Sequence, residues 1–168
     1  FSYTAAFSVA AAMGGAIETT SVDLAKRSRE LSTAHFKANG FSMDNHRLVV
    51  MDVFDYFKYA KKKGLTYDLI VIDPPSFARN KKRTFSASKD YHKLIAQSLD
   101  ILKERGTIIA STNAANMTVQ QFKKQLRKGL GDVSADFVNL QQLPADFTVN
   151  PNDPASNYLK VYTIRVNK

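Results

Sequence analysis

Apolar and polar positions divide the chain into short strand-like and helix-like runs in regular succession. Thr4 to Met13 is rich in alanine, carries Phe7 and Val9 and stops at Gly14-Gly15, which predicts a short buried helix. Ile17 to Val22 holds β-branched residues and runs into Asp23, the pattern of a strand. Asp23 to Asn39 sets Leu24, Leu31, Ala34 and Phe36 among Lys, Arg and Glu. This predicts an amphipathic helix with those four on its inner face, stopped by Asn39-Gly40. Arg47 to Met51 reads as a second strand. Asp52 is the expected N-cap of a helix that carries Phe54, Phe57 and Tyr59 and closes at Gly64.

The remainder repeats the alternation. Tyr67 to Ile72 is an apolar run of strand length, ended by Asp73-Pro74-Pro75, because two successive prolines cannot continue a sheet ladder. A polar, basic loop is expected next, then a helix from Asp90 to Lys103 with Leu94, Ile95, Leu99, Ile101 and Leu102 on its inner face. Arg105-Gly106 should turn into a strand over Thr107 to Ala110. Thr118 should open a helix with Phe122, Leu126 and Leu130 on one side. Phe137 to Leu143 and Tyr158 to Val166 read as final strands. Strands alternating with helices predict an α/β fold with a parallel sheet covered by helices, and the last two strands, with no helix between them, should pair antiparallel. In such a sheet a ligand sits beyond the carboxyl ends of the strands.

Composition narrows the chemistry. The chain has 168 residues, 44% of them hydrophobic, enough for a core in one domain. It contains no cysteine, which excludes a disulfide framework, a thiolate metal site and a protein-thiol nucleophile within these residues, and which is compatible with a cytoplasmic location. No apolar stretch reaches the length of a membrane span, so no membrane association is expected. Opening at Phe1-Ser2-Tyr3-Thr4 without an initiator methionine, the chain reads as a fragment of a longer protein.

The net charge of +9 is clustered. Arg79, Lys81, Lys82, Arg83, Lys89 and Lys93 fall within a short stretch whose sole acid is Asp90, and Lys123, Lys124, Arg127 and Lys128 form a second group. Clustered cations attract phosphates and also simply solvate a surface; charge leaves both readings open. Lys58, Lys61, Lys62 and Lys63 read as a solvated helix end with a favourable dipole interaction.

Three strand-like runs end at an aspartate: Asp23, Asp52 and Asp73. A carboxylate after the second strand of a nucleotide-binding sheet accepts hydrogen bonds from ribose hydroxyls, and Asp52, after the next strand, is placed to accept from an adenine amino group. Each also suits an N-cap. The opening segment lacks the glycines that let backbone approach a pyrophosphate, and no Walker lysine motif is present, so dinucleotides and nucleoside triphosphates are disfavoured. S-adenosylmethionine, an adenosine cofactor with no phosphate, suits this loop better. Asp73-Pro74-Pro75-Ser76-Phe77 is the most specific signal. The double proline stiffens a turn that aims carbonyls and a carboxylate at one spot, and Phe77 offers a flat face for a base.

These residues resemble class I S-adenosylmethionine-dependent methyltransferases. More closely, the chain is similar to bacterial 23S ribosomal RNA large-subunit base methyltransferases, a group with 5-methylcytosine and 7-methylguanine enzymes. The resemblance runs over essentially the whole chain and rests on Phe1-Ser2-Tyr3-Thr4, Ser21-Val22-Asp23, Asp52-Val53-Phe54, Asp73 to Phe77 with the basic loop after it, and Tyr158-Leu159-Lys160. It implies a Rossmann-like three-layer sandwich, mostly parallel with an antiparallel C-terminal strand, whose first strand lies upstream of Phe1. Residues 1–168 would be one catalytic domain, with RNA-binding domains further upstream. By resemblance, Ser2, Tyr3, Thr4 and Ala5 line the methionine end of the cofactor, Asp23 with Leu24 holds the ribose, and Asp52 with Val53 meets the adenine. Asp73 also borders the cofactor and, with Pro74, Pro75 and Phe77, forms the catalytic target-base site. Arg79, Lys81, Lys82, Arg83 and Asn113 would contact RNA. Ala5 stands where the family usually has glycine. The resemblance leaves the oligomeric state open, a homodimer included.

The cysteine count then discriminates between chemistries. C5 of a pyrimidine is a poor nucleophile, and relatives that methylate it attack C6 with a thiolate. In the cytosine-modifying relatives that thiolate lies after the fifth strand, where this chain reads Ser111-Thr112-Asn113. The expectation is therefore transfer to a base nitrogen, guanine N7 or an exocyclic amine, by in-line positioning. Cytosine C5 methylation, a catalytically idle RNA- or cofactor-binding module and a small-molecule methyltransferase are the alternatives. His35, His46 and His92 are isolated and give no metal-binding pattern; no metal is expected. Ser8 and Ser111 show no nucleophile elbow, and Tyr91 and His92 read as helix-start packing, with an approach to the site from the far end of the basic loop as the alternative.

Overall fold

A computed structural model describes residues 1–80 and 83–168, which divide into two units, Phe1–Tyr59 and Ala60–Lys168. Lys81 and Lys82, both expected to contact RNA, lie outside the described residues.

In the first unit the chain runs α1 (Ala6–Met13), β1 (Thr19–Asp23), α2 (Lys26–Ala38), β2 (His46–Val50) and into α3 (Val53–Lys62). β1 and β2 pair in parallel from Thr19 opposite His46 to Asp23 opposite Val50, and α2 is the crossover that parallel pairing requires. Asp23 thus ends one strand, and Asp52 follows its neighbour by two residues. The core is small: Phe36 is fully buried with Ala5, Val9 and Ala12, while Phe41, Met43 and Leu48 pack against them. The His46 ring stacks on Phe36 at 4.6 Å between centroids.

Two expectations fail here. α1 is not buried throughout, since Val9 and Ala12 face inward while Phe7 and Met13 are exposed. On α2 the inner face is not the leucine face: Ser28, Ser32 and Phe36 are buried, whereas Leu24, just ahead of the helix, and Leu31 are exposed. The spacing i, i+4, i+8 does define one helical face. Small hydroxyl residues occupy it because that face meets polar groups, the Tyr3 carbonyl at Ser32 and the Asp23 carboxylate at Ser28, and a hydroxyl can pair with those where a leucine cannot.

The second unit follows as β3 (Tyr67–Ile72), β4 (Phe77–Arg79), β5 (Thr84–Ser86), α4 (Ala87–Leu99), β6 (Leu102–Thr112), α5 (Val119–Leu130), β7 (Ala135–Gln141), a single 3-10 turn at Pro154–Ser156, and β8 (Lys160–Val166). Its main sheet has the order β3-β6-β8-β7. β3 and β6 are parallel, as expected, and β8 lies between β6 and β7, antiparallel to both. The antiparallel pairing of the last two strands is therefore observed. Buried Leu94, Ile95, Phe122, Leu126, Ile108 and Ile164 make the core. α4 and α5 approach closely at Gly129, where an added Cβ would fall 2.5 Å from Ile95 Cβ and 2.6 Å from the His92 carbonyl oxygen. Thr118 caps α5 as expected, in a capping box with Gln121.

The expected helix from Asp90 to Lys103 begins earlier and stops at Leu99. Ile101 and Leu102 are buried on the way into β6, with the Ile101 carbonyl accepting from the Tyr67 amide. Their apolar spacing suits a helix end or a strand entry equally. The strand register then slips: Tyr67 lies opposite Leu102 but Leu69 opposite Thr107, and Arg105 takes up the extra length at φ 55°. The expected basic loop holds a short antiparallel hairpin, β4 with β5. Among the described residues no helix is long and apolar enough to cross a membrane.

Candidate functional site

In the first unit, Asp23 organises the opening segment. Its Oδ2 accepts the Tyr3 amide at 2.9 Å and its Oδ1 the Ala25 amide at 2.9 Å. Burial alone would raise the Asp23 carboxyl, but the Ala25 and Tyr3 amides, then the Phe1 ammonium 3.7 Å away and the Ser28 hydroxyl, outweigh it and hold the group below its ordinary value. Asp23 is thus a fixed, ionised acceptor. Only some of the roughly four lone-pair directions of a carboxylate are taken by these donors.

The same segment is tied down from α2. Ser32 Oγ donates to the Tyr3 carbonyl at 3.2 Å and His35 Nδ1 to the Thr4 carbonyl at 3.1 Å. The Ser2 amide donates to the Val22 carbonyl, and the Ala5 amide to that of Ser2. These bonds hold a tight backbone with two left-handed residues, Tyr3 at φ 49° and Ala5 at φ 58°. A left-handed position is where glycine costs least, which explains why the resemblance leads one to expect glycine at position 5. The Ala5 side chain, 2% exposed, belongs to the apolar cluster around Phe36.

Sequence reasoning missed Ser28, Ser32 and His35. The signal available was a polar i, i+4, i+7 series on one helix face. A shallow, open cleft beside these residues is lined by Ser2, Ser21, Asp23, Ser28 and Arg29 among others. Asp52 caps α3: its Oδ1 accepts the Phe54 amide at 3.0 Å and the Asp55 amide at 3.4 Å. The Met51 amide donates to the Asp23 carbonyl, so the two aspartates stand at adjacent strand ends. Val53 is half-buried and Leu24 exposed. A charged acceptor on a cleft suits a ribose diol, so the residues of this unit fit an adenosine cofactor.

The second unit carries the other group. Asp73 follows β3 in an exposed position, and among the described residues its carboxylate accepts no hydrogen bond and makes no ion pair. Pro74 is buried, Pro75 exposed, and Phe77, the first residue of β4, is 62% exposed. Ser76 joins this turn to its surroundings: its Oγ donates to Asn113 Oδ1 at 2.9 Å, and its carbonyl accepts the Ala87 amide. The structure therefore brings the Asp73 turn and Asn113 together. Arg79 is exposed on β4, and Asn80 and Arg83 are joined by reciprocal bonds, Asn80 N to the Arg83 carbonyl and Arg83 N to Asn80 Oδ1.

Tyr91 is more than helix-start packing. It is fully buried on α4, with its hydroxyl 2.8 Å from both the Ile72 and the Ser111 carbonyl oxygens. Burial and then the negative Asp73 push its pKa well above the ordinary value, so it remains a protonated donor. Lys160, 4% exposed, donates to the Ala114 and Tyr158 carbonyls. At the end of β6 the hydroxyls are not nucleophiles in waiting: Ser111 and Thr112 are buried, and Thr112 Oγ1 accepts the Ala114 amide.

A family model described as S-adenosylmethionine-dependent methyltransferase matches residues 1–165. The chain is 46% identical, over 167 residues, to the "Putative ribosomal RNA large subunit methyltransferase YwbD" of Bacillus subtilis (strain 168), covering 98% of this chain and 42% of that protein. It is 34% identical over 149 residues to the Ribosomal RNA large subunit methyltransferase K of Neisseria meningitidis serogroup B (strain ATCC BAA-335 / MC58), covering 88% of this chain and 40% of that one. Its fold superimposes with a TM-score of 0.95, at 72% identity and over 98% of this chain and 43% of the other, on the crystal structure titled "SMU.776, a putative methyltransferase complexed with SAH". The chain spans less than half the length of these relatives. With the fold and the strand-end carboxylates in agreement, the chain belongs to the S-adenosylmethionine-dependent methyltransferase family.

Proposed function

We propose that residues 1–168 act as a catalytic domain that methylates a base of 23S ribosomal RNA at a nitrogen, guanine N7 or an exocyclic amine. When bound, S-adenosylmethionine supplies an electrophilic methyl group on a sulfonium and leaves as S-adenosylhomocysteine. In the first unit, Asp23 would hold the ribose, Asp52 with Val53 the adenine, and the backbone of Ser2 to Ala5 the methionine end, with Leu24 at the rim. In the second unit, Asp73, Pro74, Pro75 and Phe77 would receive the base, and Arg79, Lys81, Lys82, Arg83 and Asn113 the RNA around it.

The observation that carries this reading is Asp73: an exposed acceptor with no protein partner among the described residues, on a proline-stiffened turn joined to Asn113 and followed by the exposed ring of Phe77. Asp73 and the Pro74 carbonyl can accept from an amine and orient its lone pair, while Phe77 can stack the ring, worth about 1–3 kcal/mol per base. Guanine N7 has an in-plane lone pair and no proton, so placement alone suffices there. Pyrimidine C5 chemistry lacks its thiol within these residues: the chain has no cysteine, and the hydroxyls at the end of β6 are buried. The relatives' names support ribosomal RNA as substrate.

Asp73→Ala in the intact protein should abolish base methylation and leave cofactor binding partly intact. Modified nucleosides would be mapped by mass spectrometry in ribosomal RNA from cells with and without the gene. Undiminished turnover by Asp73→Ala would refute the assignment.

A further inference from the structure

Two buried donors converge on the backbone that carries Asp73 and Asn113. The Tyr91 hydroxyl has one proton and lies 2.8 Å from two carbonyl oxygens, those of Ile72 and Ser111. Ile72 is the residue before Asp73, and Ser111 lies two before Asn113. Ile72 pairs with Ala110, so these are the carboxyl ends of neighbouring parallel strands. Lys160 reaches the same segment from β8, where it pairs with Thr112, and puts its Nζ 3.0 Å from the Ala114 carbonyl and 2.9 Å from that of Tyr158. Neither donor is needed for ordinary sheet hydrogen bonding.

Both groups are unusual occupants of a core. Lysine is almost never fully buried unless paired, and among the described residues Lys160 has no carboxylate partner. A tyrosine hydroxyl could have been replaced by phenylalanine with no loss of apolar packing, since the Tyr91 ring is held edge-on by Phe122 at 4.8 Å between centroids. What each contributes beyond packing is a directed donor on a carbonyl one or two residues from a proposed base contact.

We propose that Tyr91 and Lys160 are positioning residues that fix Asp73 and Asn113 at one separation, set for the target base. This rests on the reading of Asp73 and Asn113 as base contacts. Tyr91 spans the two strand ends, Lys160 pins the segment beyond Asn113, and the Ser76–Asn113 bond joins the two turns. Neither residue touches the base; each acts through backbone it holds. A displacement on the order of 1 Å near reacting groups can cost about 100-fold in rate.

The test uses the intact protein with unmodified ribosomal RNA from cells lacking the gene. Tyr91→Phe keeps the ring and removes the donor; Lys160→Met removes the ammonium and keeps much of the stem. Each should lower kcat at least about 10-fold, with KM for RNA and the calorimetric Kd for cofactor within about two-fold. Lys160→Arg, which restores a donor, should recover part of the loss. A purely structural role would instead lower cofactor affinity and thermal stability together with kcat, and would overturn the proposal. So would unchanged kcat in Tyr91→Phe and Lys160→Met. If Lys160→Met does not fold, Tyr91→Phe and Lys160→Arg still decide, Tyr91→Phe by the same split and Lys160→Arg by keeping kcat above that of Tyr91→Phe. Asp73→Ala, measured alongside, separates the two claims: retained turnover there defeats the base-site reading itself, whereas lost turnover there with normal Tyr91→Phe defeats only the positioning role.

Discussion

Replacing Ala5 by glycine sets three effects of similar size against one another. Ala5 sits at φ 58° and ψ 28°, a left-handed conformation that costs a residue with a Cβ about 1–2 kcal/mol. Glycine would relieve that cost. Against it, the variant loses a methyl group buried to 2% exposure, worth about 0.8 kcal/mol. The unfolded chain also gains about 0.4–1 kcal/mol of conformational entropy. The sum lies within about 1 kcal/mol of zero in either direction, or a Tm shift of at most about 4 °C for a domain of this size. Because the methyl packs in the apolar cluster, cofactor affinity should also stay within about three-fold of the parent. Thermal unfolding and calorimetric titration of S-adenosylhomocysteine into Ala5→Gly check both. A loss of about 1.2–1.8 kcal/mol, the two unfavourable effects with nothing to offset them, would show that glycine relieves no left-handed strain at position 5. A ten-fold gain in affinity would show that the methyl faces the cofactor, and would refute its placement in the core.

Two further outcomes follow from the first unit. On α2, Leu31→Ser should change stability by less than about 0.5 kcal/mol, while Ser32→Leu should cost about 1–3 kcal/mol by overpacking a site 1% exposed; urea unfolding of both distinguishes the serine face from the leucine face. For Asp23, the folded carboxyl lies below its ordinary value of 3.8, so its stabilisation is complete above that value and lost as pH falls through the folded pKa. Asp23→Ala should therefore be less stable than the parent at neutral pH. The gap should begin to close as pH falls toward 3.8 and shut below the folded pKa; a gap constant from neutral pH down to acid would refute the linkage.

The alternation of strands and helices, the Asp73 turn and the antiparallel last strands were legible because period and turn chemistry agree there. Tyr67 to Ile72 is apolar, of strand length and stopped by two prolines, so no second reading competes. The inner face of α2 was not legible. Hydrophobicity points to Leu24 and Leu31, and only the carbonyls of Tyr3 and Thr4, brought in from some thirty residues away, make serine and histidine the better partners. The early start of β6 was hidden for a related reason: Ile101 and Leu102 satisfy either period, and the left-handed Arg105 that absorbs the register shift carries no glycine signal. Tyr91 and Lys160 look like ordinary residues until their carbonyl partners, 19 and 46 positions away, are seen.

The three strand-end aspartates, alike in sequence, are unlike in what they hold. Asp23 accepts two backbone amides, that of Tyr3 in the opening segment and that of Ala25 just ahead of α2. Asp52 accepts the amides that start α3. For Asp23 the choice between a structural and a ligand role is a false one, because an ionised carboxylate has about four acceptor directions and the two amides use only part of them. Its structural bonds fix where the remaining directions point, which a ribose diol requires. Asp73 differs: it holds nothing among the described residues, and the burden of fixing it falls on the prolines after it and on Tyr91 beneath the carbonyl before it. A carboxylate free of internal partners but carried on fixed backbone can meet an incoming base without first breaking a protein hydrogen bond. Under the proposed function, that difference separates the acid that would receive substrate from the two that would hold cofactor.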